Sequence, residues 1–168
     1  MIALSIKSKD VNQLSKDSFV EKVGFVFEHS PWIAEMAWHS LPFSSVTELH
    51  QTMVDTVENA EQDKKLELVR AHPDLADKVK MTSESVKEQS HAGLDQLSKQ
   101  ERDEFLKLNQ TYKDKFGFPF VIAVKENTKD DIKTAMKKRI ANDWETELET
   151  ALQEIYKIAR FRLEAVTF

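Results

Sequence analysis

Apolar side chains in this chain recur three and four positions apart in one segment after another, the period of α-helices with one buried face. Phe19, Val20, Val23 and Phe27 form the first stripe, which stops before Pro31. Ser30 and Pro31 read as an N-cap and a first-turn proline, where a missing N–H is tolerated. Trp32, Ile33, Met36 and Ala37 supply the buried face of that helix, and Pro42 closes it. Ser45 and Glu48 have capping-box spacing ahead of Val46, Leu49, Met53 and Val57. A charged helix with Leu66 and Val69 then runs into Ala71, His72 and Pro73. Proline disfavours the α region for the residue before it, so His72 is expected at a helix exit.

The segment from Thr82 to His91 has the composition of a short hydrophilic helix ended by Gly93. Ser98 and Glu101 cap a helix bearing Phe105, Leu108, Tyr112 and Phe116, with Gly117 as its C′ residue. Thr128, Asp130 and Asp131 open another, striped by Ile132, Met136 and Ile140. Leu148, Leu152, Ile155, Ala159 and Val166 define a long terminal helix. Phe118 to Val124 is the longest continuous apolar run, and with no partner strand elsewhere it reads as an extended buried connector. Three glycines and four prolines in 168 residues are too few for a turn-rich β-sandwich. The expected fold is therefore all-α, a single-domain multi-helix bundle over 1–168 with a buried connector near 118–124. A chain of this length can bury about two thirds of its unfolded surface.

Composition removes several chemistries. The net charge is −5 and no basic run is long enough to track phosphates, so nucleic acid is not an expected partner. With no cysteine there is no disulfide, thiolate nucleophile or iron–sulfur cluster, which suits a reducing compartment. No apolar stretch approaches the roughly 20 residues of a membrane span, and MIALSIKSKD lacks the apolar region of a signal peptide, so a cytoplasmic protein is expected. Gly24, Gly93 and Gly117 are isolated, which excludes a Walker loop and a dinucleotide fingerprint. His29, His39, His50, His72 and His91 include no helical i, i+4 pair, so no metal site is expected. No serine lies in a G-x-S-x-G elbow, and what remains is acid–base chemistry by His, Glu and Arg.

Three positions break the pattern. Arg162 stands where the terminal stripe calls for an apolar residue, and a guanidinium turned inward needs a carboxylate or an anionic ligand. A structural ion pair, or a side chain that reaches water from the stripe edge, accounts for it equally well. Arg160 lies off the stripe and reads as a solvated neighbour. His72, beside a rigid proline, can transfer protons near neutral pH, or can simply be a charge partner for a helix C-terminus. Ser85 and Glu88 share one helical face with Gln89 beside them, an arrangement that also describes an ordinary solvated face.

HPDLA at 72–76, Ser85, Glu88 and Gln89 followed by Ala92, Gly93 and Leu94, GFPFVIAV at 117–124 and IARFRL at 158–163 together resemble the 2-oxo-4-hydroxy-4-carboxy-5-ureidoimidazoline (OHCU) decarboxylase family. FEHSPWIAE at 27–35 and the Leu41, Pro42, Phe43 turn extend the resemblance over nearly the whole chain, and one departure is Asp77, where many members carry glycine. The resemblance implies an all-helical fold, commonly a homodimer, and a cofactor-free decarboxylation in urate breakdown that yields (S)-allantoin. It carries catalytic roles onto His72, Glu88 and Arg162. It carries substrate contacts onto Pro73, Ser85, Gln89 and the backbone of Phe120, Val121 and Ile122. Two other readings use the same residues: a helical interaction module with a structural Arg162 pair, and a lyase or hydrolase acting on a different ureide.

Overall fold

A computed structural model describes residues 11–76 and 97–166. Among the described residues the chain forms seven α-helices and two 3₁₀ turns, without a strand. The helices are α1 (Lys16–Val23), α2 (Pro31–Trp38), α3 (Val46–Glu58), α4 (Gln62–Arg70), α5 (Lys99–Phe116), α6 (Lys129–Ile140) and α7 (Trp144–Ala165). Two compact units result, one from residues 1–71 with 156–168, the other from 72–155. No helix among the described residues is long and apolar enough to cross a membrane.

In the first unit, the Ser15 side chain caps α1 by accepting from the Ser18 N–H, and Phe19 and Val23 are buried. The stripe expected through Phe27 is not one helix, because α1 gives way to a 3₁₀ turn at Gly24–Val26 and Phe27 is buried from extended backbone. α2 does begin on Pro31, but the Ser30 hydroxyl turns back to donate to the Glu28 carbonyl at 2.9 Å instead of capping it. α2 buries Ile33, Ala34 and Ala37, whereas Met36, expected inside, is 56% exposed. α3 follows the expected stripe of Val46, Leu49, Met53 and Val57. α4 is rotated from expectation, with Leu68 and Val69 buried and Leu66 half-buried. Asn12 holds the Phe43 turn at both ends, donating to the Phe43 carbonyl and accepting from its N–H, each at 2.8 Å.

In the second unit, α5 carries a complete capping box between Ser98 and Glu101 and ends at Gly117, whose φ of 75° is left-handed. α6 carries a second box between Thr128 and Asp131. The 118–124 run is a buried extended connector as far as Ala123, then a 3₁₀ turn over Val124–Glu126. Its Phe118 and Phe120 rings stand edge-on to Tyr112 of α5, with centroids 6.0 and 5.2 Å away. Trp144, at the start of α7, donates from its indole to the Phe116 carbonyl at 3.0 Å, which fixes the chain where the connector begins. The stripes of α5 and α6 follow the expected register at Phe105, Tyr112, Phe116, Ile132 and Met136 and depart from it at one position each. Asn109 is buried where Leu108 was expected, and Arg139 where Ile140 was.

Candidate active site

His72 follows α4, whose C-cap is Ala71, and is 7% exposed. Pro73 is exposed, and Asp74 turns the chain into a new helical start at Leu75 and Ala76. The Asp74 carboxylate accepts from the Ala76 N–H at 2.9 Å, from Asn109 Nδ2 at 2.7 Å and from Lys113 Nζ at 2.5 Å. Asn109 and Lys113 lie four residues apart on α5, so one carboxylate ties the His72–Pro73 turn to one helical face. Burial acts to raise the Asp74 pKa. The bonds from Lys113, Ala76 and Asn109 and the lysine charge outweigh it and hold the carboxyl below its usual range.

The connector is fixed from several sides. Arg139 Nη1 donates to the Val121 carbonyl at 2.7 Å, Asn127 Nδ2 donates to the Ala123 carbonyl at 2.7 Å, and the Ala123 N–H donates to Glu154 at 3.3 Å. Phe120, Val121 and Ile122 are all buried, and their N–H groups donate to no described residue. Buried backbone donors generally have a partner, so this stretch can bind a planar carbonyl compound.

Arg162 belongs to the first unit and is not the inward residue of α7. Leu163 fills that slot, fully buried, while the Arg162 side chain is 32% exposed at the stripe edge. Its Nη2 donates to Glu28 at 2.6 Å, and its Nη1 reaches the carbonyls of Phe25 and Val26 at 3.3 and 3.4 Å. Five guanidinium donors against these three acceptors leave capacity for an anion. Arg160 is not simply solvated. It pairs with Glu164 at 2.7 Å, donates to Thr47 at 3.0 Å, and its side chain is 15% exposed.

The structure therefore puts His72, Pro73 and the 120–122 connector in the unit 72–155, and Arg162 in the other. Asp77, Ser85, Glu88 and Gln89 lie outside the described residues, as does the expected helix from Thr82 to His91. Asp74, Arg139 and Glu147 are not among the site residues that the sequence marks. Asp74 had a local signal, an Asx residue two positions before a helical N–H. Arg139 and Glu147 had none, since neither spacing nor periodicity marks a pair that closes across a turn. A cleft of about 450 Å³ lined by Trp32, Met36, Thr52, Asp55, Thr56 and Asn59 contains none of the expected site residues.

The described residues define a small all-helical protein that buries a histidine at a helix exit and fixes an apolar connector, and known proteins share this fold. The family model described as OHCU decarboxylase matches residues 12–164. The chain is 49% identical over 159 residues to the 2-oxo-4-hydroxy-4-carboxy-5-ureidoimidazoline decarboxylase of Halalkalicoccus jeotgali, covering 95% of this chain and 90% of that protein. It is 47% identical to the uric acid degradation bifunctional protein of Bacillus subtilis, where the match spans 92% of this chain and 31% of that longer one. A solved structure of OHCU decarboxylase in the presence of (S)-allantoin superposes with a TM-score of 0.67 at 29% identity, over 89% of this chain and 96% of the other. The chain belongs to the OHCU decarboxylase family.

Proposed function

We propose that this chain is a carboxy-lyase that converts OHCU to (S)-allantoin in urate degradation, without a cofactor. The observation that carries the reading is the buried His72, set at a turn that Asp74 ties to α5. The connector adds buried N–H donors in the same unit, suited to the carbonyls of a planar ureide. The family match supplies the substrate.

The chemistry needs little beyond orientation and proton transfer. The bond from C4 to the carboxylate breaks, its electron pair forms a C4=C5 double bond, and the ring C=N takes up the displaced pair with a proton. No external electron sink is required. The enol then ketonises. The C4 hydroxyl loses its proton and C5 gains one on a single face, which sets the S configuration. In this scheme Arg162 holds the substrate carboxylate, while His72, its protonation set by Glu88, moves the hydroxyl proton. Pro73, Ser85, Gln89 and the backbone of Phe120, Val121 and Ile122 hold the ring and ureido amides. The protein acts as a cytoplasmic homodimer in this reading, and sedimentation at micromolar concentration is expected to give twice the chain mass of 19.4 kDa.

The test generates the substrate in solution from urate with urate oxidase and hydroxyisourate hydrolase and follows allantoin by circular dichroism. Spontaneous decay yields racemate, so a fast (S)-allantoin signal is the expected result. His72→Asn is expected to lower kcat by about 10² or more, the usual scale of a general acid–base group. A trace that matches the enzyme-free control would reject the reading, and a folded His72→Asn protein with unchanged kcat would remove His72 from the mechanism.

A further inference from the structure

Arg139 and Glu147 form a buried ion pair that the proposed chemistry does not use. Arg139 is 6% exposed and Glu147 fully buried. Arg139 Nε donates to both Glu147 oxygens at 3.1 Å, and Nη2 lies 3.0 Å from Glu147 Oε2. The Glu147 carboxylate also accepts from the Tyr112 hydroxyl and, at 3.1 Å, from Asn142 Nδ2. Burial, reinforced by the bond to Glu147, pushes the Tyr112 pKa well up, so the phenol remains a donor to the carboxylate. Desolvating two such charges is expensive, and apolar residues of similar volume often fill such a space as stably. The pair is thus poorly explained as a device for stability alone.

Its outward end supplies the explanation. Arg139 Nη1 donates to the Val121 carbonyl, and the same guanidinium lies over the Phe120 ring, 4.3 Å from its centroid. A trans peptide is planar, with its C=O and N–H pointing in opposite directions. Drawing the Val121 carbonyl onto Arg139 therefore turns the Ile122 N–H the other way, and that donor has no partner among the described residues. Glu147 fixes the guanidinium, the guanidinium fixes one peptide plane, and the plane aims one donor.

We propose that Arg139, held by Glu147, is a positioning residue that aims the Ile122 N–H at a carbonyl of the bound ureide. This rests on the decarboxylase reading. Arg139 touches no reacting atom, so its loss weakens binding more than the chemical step.

The test uses two variants. Arg139→Lys keeps a charge beside Glu147, but a single ammonium cannot hold the carboxylate and the Val121 carbonyl with the geometry of a guanidinium. Arg139→Met with Glu147→Leu removes both charges, so neither is left buried and unpaired, and it serves if the lysine variant does not fold. For a variant with wild-type far-UV circular dichroism, KM for OHCU is expected to rise about tenfold or more while kcat falls less than about threefold. The dissociation constant of (S)-allantoin, used as a non-reacting probe, is expected to rise in parallel, and the Ile122 amide resonance to shift. KM and probe affinity within about twofold of wild type would overturn the proposal, as would an equal loss confined to kcat. Wild-type protein with no decarboxylase activity overturns the underlying reading, and this proposal with it, a result distinct from an active wild type beside unaffected variants.

Discussion

Asp74 carries three hydrogen bonds two residues from His72, and its depressed pKa makes that arrangement testable by pH. A carboxylate with a folded pKa below its unfolded value of about 3.9 stabilises the fold fully above that value, and the contribution disappears as pH falls through the folded pKa. Asp74→Asn retains an acceptor for the Ala76 N–H but gives up the charge that Lys113 meets. The variant is therefore expected to melt below wild type by a constant margin from pH 5 to pH 8. The margin should shrink below about pH 4, as wild-type Asp74 becomes protonated. Thermal melts at unit pH intervals check this, and a margin independent of pH down to 2 would show that the carboxylate charge contributes nothing. At this scale the sequence marked His72, Pro73 and the connector. It did not mark the partners that fix them, because Lys113 is 39 positions from Asp74 and Arg139 is 18 from Val121. Periodicity registers which face a residue occupies, not which distant group it meets. The inward reading of Arg162 failed for a related reason: three- and four-residue steps alternate, and one step of four from Ala159 gives the slot to Leu163.

The helices were legible where capping chemistry and stripe agreed. α5 is the clearest case, with the box at Ser98 and the left-handed Gly117 bracketing it as expected, and its end sets where the connector starts. An added methyl at Gly117 would meet nothing within 4 Å, so the cost of Gly117→Ala is backbone conformation alone. About 1 kcal/mol is expected, within the range for an L-residue in the left-handed region. Gly117→Asn should lose less, since asparagine tolerates that region better. Urea titration of the three proteins checks the order, and an alanine variant as stable as wild type would mean that the helix end relaxes. Ser98→Ala, which removes one side of the capping box, is expected to lose a comparable amount. Elements whose stripe could slide by one residue were legible only in outline. α4 and α6 have apolar or amphipathic candidates one or two positions apart, Leu66 and Leu68 in one and Arg139 and Ile140 in the other, and tertiary packing chose between them.

Length and composition point to one domain, and within the folded chain two compact units have their boundaries at 71/72 and 155/156. The second boundary falls inside α7. One continuous helix contributes Leu148, Leu152 and Ile155 to the core of the unit 72–155, and Tyr156, Ala159 and Leu163 to that of the other. Helical hydrogen bonds link residues four apart, so melting either end of α7 removes bonds across the boundary and uncovers side chains the helix had placed. We propose that the two units unfold together as one cooperative domain. Tryptophans give each unit its own reporter, since Trp32 and Trp38 lie in the first and Trp144 in the second. A Trp144→Phe protein reports only the first unit, and a Trp32→Phe, Trp38→Phe protein only the second. Substitution also shifts overall stability, so each fluorescence transition is compared with the far-UV circular dichroism transition of the same protein. Coincidence of the two signals in both proteins is expected, which is the signature of a two-state transition. A fluorescence midpoint displaced from the dichroism midpoint in either protein would mean that α7 breaks near residue 156 and that the units are separate domains joined by a shared helix.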